Sequence, residues 1–128
     1  MALEISRARC CGVVVGDLSF ISLTYILKYI PRFLDDNGFV VLLIKPQFEV
    51  GPEHVDKGGI VRNPKLHVKA IQKVVEAARD CGLYFNNIAT IPIVDVKKNI
   101  EYLACFKMVS TGMVDFKKIV EHAFENNF

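Results

Sequence analysis

The feature that most constrains this chain is an apolar run that halts at a charge. Phe39-Val40-Val41-Leu42-Leu43-Ile44 is followed at once by Lys45 and Pro46. Six apolar residues without alternation predict a strand buried on both faces, the habit of parallel sheets. Pro46 has no N–H to give to a sheet ladder, and it biases Lys45 towards an extended backbone. An ammonium group is therefore expected at the carboxyl end of a central strand. In open α/β sheets that edge is where ligands bind.

The pattern around this run is that of an alternating fold. Gly12-Val13-Val14-Val15-Gly16-Asp17 predicts an earlier strand that ends on an acid. Leu23, Ile26, Leu27, Ile30, Phe33 and Leu34 form a helical stripe, with Ser19 or Ser22 as its cap. Pro31 falls inside that stripe, where it kinks or divides the helix. Asp35-Asp36-Asn37-Gly38 is a stop and turn. A polar loop from Gln47 to Gly59 is long for an ordinary connection. Asn63 and Pro64 then open a helix as N-cap and first residue. Its stripe runs through Leu66 or His67, Ile71, Val74, Val75 and Ala78, with Gly82 just past the end. His67 is expected at the helix surface. Two strands follow, over Leu83 to Ile93 and Ile100 to Phe106, and a last helix around Phe116, Ile119, Val120, Ala123 and Phe124. The order β-α-β-α-β-β-α predicts one α/β domain with a mostly parallel sheet, helices on both faces and an antiparallel C-terminal hairpin.

Composition narrows the function classes. Sixteen basic against fourteen acidic residues leave a net charge of +2. That is compatible with an RNA partner and does not require one. The apolar run of six is far short of the roughly 20 residues needed to span a membrane, and the N-terminus carries no secretory pattern. Cys10, Cys11, Cys81 and Cys105 form no C-x-x-C pair and read as reduced thiols of a cytosolic protein, with Cys81 and Cys105 in the core. His54, His67 and His122 are too scattered to suggest a metal site.

Asp17 and Lys45 share the carboxyl edge of the expected sheet. If the last strand is antiparallel, its beginning, Asn99-Ile100-Glu101, reaches the same edge. An acid, a base and an acid from distant parts of the chain then converge. Two carboxylates stabilise the charged form of a lysine. The pattern alone therefore leaves open both a structural ion-pair network and a catalytic constellation. Phe20 and Phe48 are expected to pack beneath their loops, and Arg62 to pair locally. Lys97-Lys98 and Lys117-Lys118 are expected on solvated faces.

Three longer stretches add a resemblance. Asp17-Leu18-Ser19-Phe20-Ile21-Ser22-Leu23, Leu43-Ile44-Lys45-Pro46-Gln47-Phe48-Glu49-Val50-Gly51 and Gly58-Gly59-Ile60-Val61-Arg62-Asn63-Pro64 occur in order. From about Gly12 to Phe106 the chain resembles the TlyA-type hemolysin family of FtsJ-like ribosomal RNA 2′-O-methyltransferases. The resemblance implies a Rossmann-like methyltransferase three-layer sandwich, here partial, with S-adenosylmethionine as cofactor. It implies catalytic roles for Asp17, Lys45 and Glu101, and a cofactor surface at Asp17, Leu18, Ser19 and Phe20. It assigns RNA contacts to Lys45, Gln47 and Arg62. Lys45 would accept the proton of a ribose 2′-hydroxyl, and a second cation or desolvation must offset the two carboxylates that oppose this. The implied partner is ribosomal RNA or a ribosomal subunit, in the cytoplasm.

The departures are equally specific. No glycine-rich βα turn precedes Asp17, and the family's S4 RNA-binding domain and first lysine are not present. Gly58-Gly59 lacks the Lys-Ser/Thr of a P-loop. Asp95-Val96-Lys97-Lys98 stand where the family has glycines. Residues 1–128 are thus expected to be the carboxyl-terminal part of a methyltransferase domain, binding cofactor weakly or not at all on their own. A second reading is an interaction module that pairs with another copy through the uncovered edge strand near residues 12–16. A third, a pore-forming hemolysin, finds no spanning or strongly amphipathic segment to rest on.

Overall fold

Four strands carry the apolar runs: β1 (Cys11–Gly16), β2 (Leu34–Ile44), β3 (Tyr84–Ile91) and β4 (Glu101–Lys107). They lie in one sheet in the order β1-β2-β4-β3. β1 and β2 are parallel, and β4 runs antiparallel to both β2 and β3. The last strand thus inserts between its predecessors and reverses direction, as the hairpin expectation requires. The computed structural model describes residues 11–93, 98–110 and 115–127. Asp95, Val96, Lys97 and Cys10 lie outside them.

Two local departures have physical causes. Asp35-Asp36-Asn37-Gly38 was expected as a turn before β2, and instead lies within it. Cys11 pairs with Leu34 and Val13 with Phe39, so the register slips there and the four residues bulge opposite Gly12. Gly38 belongs in that bulge: a Cβ on it would sit 2.7 Å from a Leu34 methyl and 3.0 Å from the Gly12 carbonyl oxygen. The stripe from Leu23 to Leu34 forms no α-helix. It forms two short 3-10 helices, Leu23–Tyr25 and Leu27–Arg32, joined at Ile26. Ser22 caps the first, and Pro31 withholds an N–H inside the second. Aromatic and β-branched residues add little helical propensity between them.

The other helices follow their end signals. α1 (Pro46–Glu49) is one turn started by Pro46. α2 (Pro64–Asp80) begins with the Asn63 side chain accepting from the Lys65 N–H. It ends at Gly82, whose φ of +84° only glycine adopts readily. α3 (Phe116–Asn127) packs on α2. Lys98, Lys117 and Lys118 are exposed, as expected.

The core lies on one side of the sheet. Val40, Leu42 and Ile44 of β2 and Tyr102, Ala104 and Phe106 of β4 are buried in one cluster with Ile71, Val74 and Ala78 of α2 and Val120 and Ala123 of α3. The alternate residues point the other way, and there the sheet is open: Val15 is 74% exposed, and Val13, Phe39 and Leu103 are exposed as well. Two faces of helices were expected; the described residues cover one. The unalternating run Phe39–Ile44 marks a strand whose second face is apolar but not enclosed by these residues.

His67 corrects a further expectation, that it lies at the helix surface. It lies on the buried stripe of α2 with Ile71, Val74 and Ala78, and none of it reaches solvent. Its Nε2 is 2.7 Å from the Val61 carbonyl oxygen and its Nδ1 2.9 Å from the Tyr102 hydroxyl. A carbonyl oxygen only accepts, so Nε2 carries the hydrogen and the Tyr102 hydroxyl donates to Nδ1. The Phe124 ring meets the imidazole edge to face at 4.9 Å. Burial lowers the His67 pKa from 6.5, and the bond to Val61 opposes that only in part. The neutral ring is thus favoured in the folded chain. The unfolded chain takes up this proton first as pH falls. The His67 contribution should be intact above about pH 6.5 and drain away below it. Urea unfolding at pH 7.5 and pH 5.5 checks this: His67→Gln should flatten the loss between the two.

Candidate active site

The sheet topology brings the three predicted ionisable residues to one edge. β1 and β2 are parallel, so Asp17 and Lys45 follow their carboxyl ends side by side. β4 is antiparallel and begins there. Ile44 pairs with Tyr102, and the next position outward sets Lys45 across from Glu101. Lys45 Nζ lies 2.5 Å from Asp17 Oδ1 and donates to Ser19 Oγ at 3.0 Å. The lysine side chain is only 12% exposed, the aspartate 68%. A nearly enclosed ammonium is therefore held by an acid that stays open to solvent.

Glu101 does not join that ion pair. Its Oε2 accepts from Gln47 Nε2 at 3.2 Å. The amide nitrogen faces the carboxylate, so Gln47 Oε1 points elsewhere; it is buried and has no hydrogen-bond partner among the described residues. Two carboxylates gripping one lysine were expected. The structure instead shows one on Lys45 and the other on Gln47, the residue two positions on.

The other predicted residues divide. Leu18 is half-buried and Ser19 bonds Lys45, so both belong to this edge. Phe20 was expected beneath its loop. It is 90% exposed, with a φ of +65° that non-glycine residues seldom adopt. Its ring leans on the half-buried Phe48 at 5.0 Å between centroids. Arg62 pairs with Asp56 at 3.5 Å, both exposed, as the local reading expected.

Glu49 falls in the stretch whose composition predicts a polar loop. The structure buries it. The Ser22 hydroxyl donates to its Oε1 and the Leu23 N–H to its Oε2 at 2.9 Å, so the carboxylate stands at the start of the first 3-10 helix. Lys73 of α2 lies 3.5 Å from the same carboxylate and donates to the Glu49 carbonyl oxygen at 2.9 Å. Glu49 thus locks the segment after β1 to the segment after β2. Asn99, two residues before Glu101, is a second such polar anchor. Its Oδ1 accepts from the Val61 N–H at 2.8 Å, and its Nδ2 donates to the Gly59 carbonyl at 2.7 Å. The long polar loop is thereby tied to β4, with Gly58 and Gly59 at positive φ making its turn. The signal was a buried-type geometry in polar residues, which apolar periodicity cannot register.

Cys81 and Cys105 are half-buried free thiols. Burial pushes the Cys105 thiol pKa up, and the neighbouring Lys107 pulls the other way. No group of metal-ligating side chains occurs among the described residues. No described helix is long and apolar enough to cross a membrane.

The chain is similar to several known proteins. Over 95 residues the chain is 45% identical to Hemolysin A of Brachyspira hyodysenteriae, a match covering 74% of this chain and 40% of that protein. It is 36% identical over 90 residues to the 16S/23S rRNA (cytidine-2′-O)-methyltransferase TlyA of Mycobacterium tuberculosis, covering 70% of this chain and 34% of the relative. A solved structure of a hemolysin-named protein from Streptococcus thermophilus superposes with a TM-score of 0.80 at 35% identity, over 89% of this chain and 42% of that one. The chain therefore spans well under half the length of each of these relatives. The model of the family described as FtsJ-like methyltransferase matches residues 2–108. With that match over most of its length, the chain belongs to the FtsJ-like methyltransferase family.

Proposed function

We propose that this chain is the carboxyl-terminal part of a Rossmann-like domain that transfers methyl from S-adenosylmethionine to a ribose 2′-hydroxyl of ribosomal RNA, in the cytoplasm. The observation that carries the reading is the Lys45–Asp17 ion pair set across from Glu101 at one sheet edge. S-adenosylmethionine, when bound, supplies an electrophilic methyl group on a sulfonium. The described residues fit one side of such a ligand. Asp17 offers an exposed carboxylate to its positive charge or hydroxyls, Leu18 and Ser19 line the approach, and Phe20 offers an exposed ring. No described helix opens from a glycine-rich turn of the kind that cradles nucleotides.

In this reading Lys45 accepts the 2′-hydroxyl proton. Asp17 and Ser19 fix its Nζ, so one rotamer is selected before substrate arrives. Glu101, through Gln47, borders the space where the ribose is held. Gln47 and Arg62 complete the RNA surface. A base must be uncharged when it acts, so a second cation or desolvation has to offset the Asp17 carboxylate.

Grafting tests the assignment. Residues 12–106 replace the matching segment of the Mycobacterium tuberculosis relative, and transfer of labelled methyl to ribosomal RNA is measured. Retained 2′-O-methylation is expected. A folded, cofactor-binding graft that transfers nothing would sink the reading. Titrating S-adenosylmethionine into the 128-residue chain should give no micromolar binding, and such binding would contradict the partial-domain assignment.

A further inference from the structure

We infer that His67 is a positioning residue for Glu101, acting through its Nε2–H tautomer; the inference rests on the role just proposed for Glu101. The geometry is a closed circuit. His67 donates from Nε2 to the Val61 carbonyl and accepts at Nδ1 from the Tyr102 hydroxyl. The Val61 N–H, on the other side of the same residue, donates to Asn99 Oδ1. Asn99 lies two residues before Glu101, and Tyr102 lies one after it. The backbone that carries Glu101 is thus pinned on both sides, and both pins return to one imidazole.

The position of that imidazole makes the circuit stiff. His67 stands in the first turn of α2, four residues after the capping Asn63, and is fully buried. Phe124 of α3 closes the ring from the side. Filling this space does not require polarity. A phenyl ring has nearly the same shape and carries no desolvation cost. The retained polarity has two partners, and both belong to the segments that bracket Glu101. Glu101 in turn holds Gln47, two residues past Lys45. The circuit therefore sets the far wall of the edge at which Lys45 and Asp17 stand. It also ties the Gly59–Val61 loop, and with it the start of Arg62, to the same wall.

The test uses the full chain and needs neither cofactor nor RNA. Long-range proton–nitrogen spectra of the unmodified chain at pH 7.5 should show His67 protonated at Nε2 alone; protonation at Nδ1 would overturn the inference. His67→Phe keeps the ring and its contact with Phe124 but removes both hydrogen bonds. The Val61 amide should then exchange with solvent about tenfold faster, while Ile71 and Val74 amides in the same helix stay protected. The Gln47 side-chain amide resonance should move, because its partner Glu101 moves. His67→Gln, which keeps one donor and one acceptor, should recover part of both changes. Unaltered Val61 exchange and Gln47 resonance in His67→Phe would reduce His67 to a filler and end the proposal. Tyr102→Phe removes a single oxygen and should give a smaller rise in Val61 exchange than His67→Phe; a rise as large would place the effect at Tyr102 instead. These readouts are blind to methyl transfer. Their failure leaves the Lys45 reading standing, and an inactive graft leaves them untouched.

Discussion

Lys45→Met in the active graft should lower kcat by about 10²- to 10⁴-fold, the range that a lost general base costs. Methionine keeps most of the stem and removes the ammonium. Pro46 and the buried Ile44 fix the backbone on either side, so the change stays at the site. Freed of its partner, Asp17 is already 68% exposed and meets water without an uncompensated buried charge. Single-turnover methylation of ribosomal RNA is the measurement, with cofactor affinity measured in parallel. Lys69→Met, on the exposed side of α2 and within the grafted segment, is the control and should leave the rate unchanged. A Lys45→Met graft that methylates at the control rate would remove Lys45 from the chemistry and return the edge to a structural ion pair.

Phe106→Ala should destabilise the chain by about 3–5 kcal/mol, against about 5–15 kcal/mol for a typical domain. Phe106 has no exposed surface, sits at the middle of the sheet in β4, and meets Phe85 edge to face at 6.1 Å. Its neighbours belong to strands on both sides and cannot close the gap without breaking their ladders. Val15→Ala, on the open face, should change stability by less than about 0.5 kcal/mol. Urea midpoints of the two variants measure the asymmetry of the sheet directly. Equal losses would mean that the face carrying Val15 is as tightly packed as the helical one.

The strands and the edge were legible because they rest on strong local signals. The run Phe39–Ile44 stops at Lys45-Pro46, and β2 ends at Ile44. Asn63-Pro64 and Gly82 bracket α2 as their backbone chemistry requires. The antiparallel final strand was needed to bring Glu101 to the edge that carries Lys45, and it does so, with Glu101 bonded to Gln47 rather than to Lys45. What stayed hidden depends on the third dimension. The stripe from Leu23 to Leu34 has helical spacing, but Pro31 and a weak helical composition tip it into two 3-10 turns. Glu49 and His67 are polar residues whose burial is compensated by partners far along the chain, Ser22 and Lys73 for one, Tyr102 for the other. Hydropathy assigns such residues to the surface. Phe20 fails in the opposite sense: an aromatic ring reads as core, yet a left-handed backbone turns it outward.

The pairing of Ile44 with Tyr102 makes the sheet a measuring device for the site. Side chains alternate between its faces with a period of two, so the alignment of β4 on β2 decides which side chain looks across at Lys45. Removing one residue between Asn99 and Tyr102 would leave the hydrophobic ladder from Tyr102 to Phe106 intact. The residue opposite Lys45 would still be whichever precedes Tyr102, and shortening the chain there by deleting Glu101 would present Ile100 instead. A frame error of one position at this strand entry thus keeps the ladder in register, but it takes the fully buried Ile100 out of the core and changes the residue facing the edge. Length variation among relatives should be tolerated in the connection before Asn99 and excluded between Asn99 and Tyr102, where the chain is counting.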